Sequence, residues 1–201
     1  MKQLIIGTKN QAKVNQIKGA LSSFNVEIIG FPINIDLPDI IEDKETAQEN
    51  AKKKAIFYSQ FLNKVVLSMD NALYIKGLSP DKQPGIHVRR INKRTDRPND
   101  KELLNYYQKI LKPLGNKIQG HWEFAICLAY PNGQIKETTI ISPRIFTSQK
   151  SEKIIKGYPL ESLQIDPKSG KYISEMSKKE QDIFWNKMIG TPLKNFLKDL
   201  I

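Results

Sequence analysis

The sequence predicts an α/β fold: an elongated mixed sheet flanked by helices. Three observations predict it. Strand-length apolar runs alternate with amphipathic helical segments over residues 3–75, a hairpin signal lies mid-chain, and helical periodicity fills the C-terminal stretch. "QLIIG" (3–7) reads as a short buried strand, and Val14, Ile17 and Leu21 then recur at helical spacing. "VEIIGF" (26–31) is a second strand, and "NIDLPDIIEDKE" (34–45) is an acidic connection in which Pro38 blocks a continuous helix. In "TAQENAKKKAIFYSQFL" (46–62) Thr46 caps a helix with Glu49 in capping-box position, and Ala51, Ala55, Tyr58 and Leu62 share one face. "KVVLSMDNALYI" (64–75) is a buried strand running into Asp70 and Asn71. A loop punctuated by Pro80, Pro84 and Gly85 leads to the amphipathic helix "DKELLNYYQKILKPL" (100–114), stopped by Pro113. Residues 121–146 read as a hairpin turning at Pro131-Asn132-Gly133. Residues 174–200 are helical with a break near Gly190 and Pro192.

With 201 residues, 39% of them hydrophobic, the chain suits one globular domain spanning 1–201. No run approaches a membrane span, and the opening lacks a signal peptide's apolar stretch and cleavage site, so a cytoplasmic protein is expected. The lone Cys127, inside "FAICLAY", reads as a core residue. His87 and His121 have no histidine or cysteine at ligand spacing, which argues against a structural zinc site and a Ser/His/Asp triad. A net charge of +11 favours polyanionic partners, but the lysines are scattered and no aromatic and basic stripe of a nucleic-acid module is present.

Three constellations carry possible chemistry. In "IIGTKNQAK" (5–13) a helix starts straight after a strand, where free N–H groups and the positive dipole end favour an anion; Thr8, Asn10 and Lys13 add a hydroxyl, an amide and an ammonium. A plain Thr or Asn helix cap fits that stretch equally well. The acidic connection offers Asp39, Glu42, Asp43 and Glu45 as oxygen donors for a hard cation such as Mg²⁺. Asp70 is expected at the C-terminal end of an apolar strand, where a carboxylate can hold metal or activate water.

The order "IIGTKNQAK", "ETAQENAKKKA", "VVLSMDNAL", "QPGIHVRR", "GYPLES" and "GKYISEMSKKEQ" resembles the inosine triphosphate pyrophosphatase family, whose members hydrolyse non-standard purine nucleoside triphosphates to monophosphate and pyrophosphate. The resemblance spans residues 3–197. It implies two lobes with a central nucleotide-binding cleft, a Mg²⁺ cofactor and a homodimer. Thr8, Asn10 and Lys13 match the family's T-x-N-x-x-K signature and are implied to grip the triphosphate, with Lys54, Asn71 and Arg90. Asp39 best matches the family's metal-binding glutamate, with Glu42 and Glu45 as rivals, and Asp70 matches its general base and metal contact. The family's acidic neighbour before that Asp is Met69 here.

The base-recognition half departs from the pattern. Phe-Gly-Tyr/Trp-Asp becomes Lys156-Gly157-Tyr158-Pro159, the later Lys becomes Gln181, and Ser-His-Arg becomes Trp185-Asn186-Lys187. Residue type then nominates Tyr158, Trp185, Asn186 and Lys187 for the base. Three functions follow: a Mg²⁺-dependent pyrophosphatase acting on dITP or ITP; a silent nucleotide-sensing subunit of a larger assembly, such as a defence complex, which kept the phosphate grip; and, with less support, a basic nucleic-acid-binding protein.

Overall fold

Strand β1 (Lys2–Ile6) lies parallel to β2 (Val26–Ile29), with Leu4 opposite Ile28. Parallel neighbours need a crossover, and helix α1 (Gln11–Ala20) supplies it by burying Val14 and Ile17. The computed structural model describes residues 2–22, 25–32, 35–91 and 98–198, with no account of the side chains of residues 2 and 12.

Helix α2 (Ala47–Leu62) starts with the expected capping box: the Glu49 N–H donates to the Thr46 hydroxyl, and the Thr46 N–H donates to the Glu49 carboxylate. Strand β3 (Val66–Ile75) returns parallel to β1 and is buried at most positions, as a strand covered on both faces must be; it continues five residues past Asp70, which therefore lies mid-strand and not at the C-terminal end expected, because the apolar run resumes at Ala72. Helix α3 (Asp100–Leu111) carries a second capping box, Asn99 with Glu102, outside the expected elements. Strands β4 (Ile118–Ala129) and β5 (Ile135–Phe146) form the hairpin; Gly133 turns it with φ 86°, a conformation that side-chain-bearing residues resist. The strand order is β2-β1-β3-β4-β5-β6.

Two differences from the sequence reading concern local structure. "GYPLES" forms a 3₁₀ turn (Pro159–Leu163) that leads into β6 (Gln164–Ile165), antiparallel to β5; two residues are too few to show a strand period. The expected C-terminal break is a single π-helical turn (Asn186–Gly190) between α4 (Lys178–Trp185) and α5 (Thr191–Leu197). Pro192 sits in the first turn of α5, where its missing N–H costs nothing. Gly190 is there because a Cβ would come within 2.5 Å of the Ala20 carbonyl oxygen.

The chain divides into two compact units. Unit 1 comprises Met1–Asn71, Glu123–Ile140 and Asp182–Ile201; unit 2 comprises Ala72–Trp122 and Ile141–Gln181. One apolar cluster in unit 1 gathers Ile5, Leu37, Tyr58 and Val66, with Phe31, Ile40 and Phe57 packed against it. Unit 1 also buries Cys127 completely, and burial pushes its thiol up to about 12, so it is an inert core residue. Unit 2 packs Leu73, Leu103, Leu104, Tyr107, Phe146 and Leu163 together. No helix among the described residues is long and apolar enough to cross a membrane.

Unit 2 also buries Glu161 and Arg144. Burial pushes the Glu161 carboxyl up to about 7, against the pull of the Arg144 guanidinium. A carboxyl whose folded-state pKa exceeds its unfolded value stabilises the fold at low pH and loses that contribution as pH rises through the folded value. The wild-type chain is therefore expected to lose stability between its ordinary value of 4.5 and about 7. Glu161→Gln should remove that part of the pH profile, read from thermal melts across the same range.

Candidate functional site

Unit 1 assembles the phosphate-type residues around the end of β1. The Gly7 N–H donates to the Leu67 carbonyl at 2.8 Å, bringing the loop after β1 against β3. Glycine is required there: a Cβ would collide with the Ser68 hydroxyl and lie 2.8 Å from a Val66 methyl. The loop then tightens, with Thr8 N–H donating to the Ile6 carbonyl and Asn10 N–H donating to the Thr8 hydroxyl at 3.1 Å. The Val14 N–H donates to the Asn10 carbonyl, opening α1. Thr8 is half-buried, Asn10 is exposed, and Lys13 follows in the first turn.

Lys13 and Lys54 converge on the same two oxygen sources. Lys13 Nζ lies 3.3 Å from the Met69 carbonyl oxygen and 3.6 Å from Asp70 Oδ1. Lys54 Nζ lies 3.5 Å from both and 2.6 Å from Glu42 Oε1. The side chains of Lys54 and Asp70 are only 9% and 12% exposed, so water screens this cluster weakly. Burial, followed by repulsion from Lys54, lowers the Lys13 pKa, against the attraction of Asp70 and Glu42. Two ammoniums and two carboxylates thus neutralise one another around Asp70.

The acidic connection reaches this cluster because one face of α2 staples it. Asn50 both donates to the Lys44 carbonyl and accepts from the Lys44 N–H; four residues on, Lys54 holds Glu42; four further, the Tyr58 hydroxyl donates to the Pro38 carbonyl at 3.0 Å. Lys53 adds bonds to the Ile41 carbonyl and to Asp43. Of the three carboxylates nominated for metal, the structure brings Glu42 to Lys54 and Asp70. Asp39 instead pairs with Lys9 at 2.8 Å, and Glu45 is exposed.

The donor set fits a hard cation. Glu42 and Asp70 are two carboxylates sharing one lysine, and Mg²⁺ is commonly held by one or two carboxylates completed by substrate phosphate oxygens and water. The Asn71 Oδ1 oxygen is also buried and receives no hydrogen bond, but Asn71 follows Asp70 directly along β3 and successive strand side chains alternate faces, so it is no third donor to a cation at Asp70. Among the described residues no three His, Cys, Asp or Glu side chains cluster.

Arg90 is half-buried in unit 2, in the turn after Pro84-Gly85. Tyr158 is also in unit 2; its hydroxyl is buried without a hydrogen-bond partner, and burial raises its pKa. Trp185, Asn186 and Lys187 are in unit 1. Trp185 packs edge-on against Phe184, the Asn186 amide donates to the Ala20 carbonyl at 3.4 Å, and Lys187 is exposed. Two features escaped the sequence. The Met69 carbonyl is backbone and leaves no residue signal. Asp100 accepts from Arg89 and from the Gly157 N–H, holding the turn before Tyr158 through pairs far apart in sequence.

This strand-to-helix loop, set beside a carboxylate-bearing strand, is the architecture of an α/β protein. A family model described as the Ham1 family matches residues 4–185, and the chain belongs to that family. It is 28% identical over 187 residues to the dITP/XTP pyrophosphatase of Staphylococcus aureus (strain MW2), covering 90% of this chain and 88% of that protein. With the dITP/XTP pyrophosphatase of Oceanobacillus iheyensis it shares 34% identity over 116 residues, covering 55% and 56%. The solved Staphylococcus aureus Ham1 protein superposes with a TM-score of 0.72 at 23% identity over the whole of both chains. A HAM1 protein from Coxiella burnetii gives 0.76 at 18% identity, over 99% of this chain and 100% of that one. These two likenesses establish the shared fold.

Proposed function

We propose that this chain is a Mg²⁺-dependent nucleoside triphosphate pyrophosphatase that converts a non-standard purine nucleotide, dITP, ITP or XTP, to its monophosphate and pyrophosphate. The observation that carries the reading is the buried meeting of Lys13, Lys54, Glu42 and Asp70. The printed activity of the Staphylococcus aureus relative supports it.

Each residue then has a role set by its chemistry. Thr8, Asn10 and the N–H groups opening α1 donate to phosphate oxygens; Lys13 and Lys54 balance the triphosphate's charge as it builds on the leaving pyrophosphate. Glu42 and Asp70 would hold Mg²⁺, which supplies charge neutralisation at the phosphates when bound, and Asn71 is proposed for the triphosphate. Asp70 also accepts a proton from the attacking water, orienting it toward the α-phosphorus. Arg90 is proposed for the triphosphate, and Tyr158, Trp185, Asn186 and Lys187 for the base. The same reading extends to a cytoplasmic homodimer.

The test is a panel of dITP, ITP, XTP and the four common nucleotides with Mg²⁺, scored for binding and for released pyrophosphate. Pyrophosphate from dITP, ITP or XTP in preference to the common nucleotides is the expected result. Binding without pyrophosphate favours the second reading, a nucleotide-sensing subunit. The observation behind that alternative is Met69, which offers only its backbone carbonyl where the resembled family has a second acid. Salt-sensitive binding of nucleic acid alone would favour the third.

A further inference from the structure

Lys9 stands between Thr8 and Asn10 in the loop that opens α1, so it occupies the mouth of the same anion-type loop. Its ammonium is 2.8 Å from Asp39 Oδ1, and this hydrogen bond to Asp39 raises its pKa. The two partners are held very differently. Asp39 follows Pro38, whose carbonyl is fixed by the Tyr58 hydroxyl, and it sits between Leu37 and Ile40, which lie in the apolar cluster of unit 1. Lys9 reaches it at the end of a flexible four-carbon stem. The carboxylate is 88% exposed and the lysine 49%, so the pair is screened by water and cheap to break.

We propose that Lys9 is a further triphosphate-binding residue and that Asp39 is its resting counter-ion, not a metal ligand. The proposal rests on the pyrophosphatase reading's phosphate site. With no triphosphate bound, Asp39 holds the ammonium at the mouth of the loop. A triphosphate at Thr8, Asn10 and Lys13 presents far more negative charge than one carboxylate, and Lys9 exchanges Asp39 for a phosphate oxygen. Asp39 thereby sets affinity: it competes with the ligand for one cation.

The experiment measures binding of inorganic tripolyphosphate and of dITP by calorimetry, in EDTA and again with Mg²⁺, so it does not need turnover. Lys9→Ala is expected to weaken tripolyphosphate binding about fivefold, and Asp39→Asn to tighten it about two- to threefold, the scale of an exposed ion pair. In the double variant the Asp39→Asn gain should vanish, because the cation it released is gone. Thermal melts of each variant separate loss of fold from loss of contact.

Weaker tripolyphosphate binding by Asp39→Asn in EDTA overturns the proposal. So does an unchanged affinity in Lys9→Ala, or a loss with Asp39→Asn confined to Mg²⁺, which marks Asp39 as a metal ligand. A wild-type chain that binds tripolyphosphate and dITP without releasing pyrophosphate overturns the hydrolase reading, while the Lys9 and Asp39 affinities still decide this one. A wild-type chain that binds neither overturns both.

Discussion

Asp70→Asn is expected to reduce pyrophosphate release from dITP by at least about a hundredfold, the range for removing a positioned general base. Dissociation constants for the nucleotide should change by less than about tenfold. Asparagine keeps the size of the side chain but removes the charge that attracts both lysines, at 3.5 and 3.6 Å, and the oxygen proposed to take water's proton. The contact to the Met69 carbonyl remains for Lys13 and Lys54, so the lysines stay near the proposed phosphate site. The split between retained binding and lost release is what distinguishes Asp70 from a purely structural anchor. Equal loss of both would assign Asp70 to the grip.

The second large effect belongs to Lys54. Its ammonium ties Glu42, from an irregular loop, to Asp70, on a strand, and its side chain is almost wholly buried. Lys54→Met leaves both carboxylates without their shared cation, with Lys13 the one remaining cation paired with Asp70 among the described residues. Breaking a buried pair in this way is expected to cost about 3 kcal/mol of stability. Turnover should fall about a hundredfold or more as a charge-stabilising group is lost. Urea unfolding and steady-state kinetics read the two effects separately. Glu42→Gln is expected to be milder, about 1 kcal/mol, because that carboxylate is 31% exposed. Its activity should recover when Mg²⁺ is raised, which Lys54→Met should not show. A Lys54→Met chain as stable and active as the wild type would remove the cluster from the account.

What the sequence disclosed was whatever depends on neighbours along the chain. The Thr46 and Glu49 box lies within one turn, and the Pro131-Asn132-Gly133 turn within three residues, and both form as read. The opening loop was legible too, since Gly7, Thr8, Asn10 and Lys13 are consecutive or nearly so. Choosing among Asp39, Glu42 and Glu45 was not possible, because an irregular loop has no period to fix which carboxylate turns inward. The four-residue spacing of Asn50, Lys54 and Tyr58 is what brings Glu42 to Lys54, and their partners in the loop are visible only in the folded chain. Lys9 was hidden for the same reason: its partner is 30 positions away. The clamp of Arg89 and Asp100 on Gly157 joins segments far apart in sequence and has no local mark.

The central claim is that water, oriented by Asp70, attacks the α-phosphorus of a purine triphosphate held at the Lys13 and Lys54 cluster. Turnover of dITP in ¹⁸O-labelled water, with mass spectrometry of the products, tests it most directly. The account predicts the label in deoxyinosine monophosphate and unlabelled pyrophosphate. Label in inorganic phosphate or in pyrophosphate, or no hydrolysis of dITP, ITP or XTP, would contradict it.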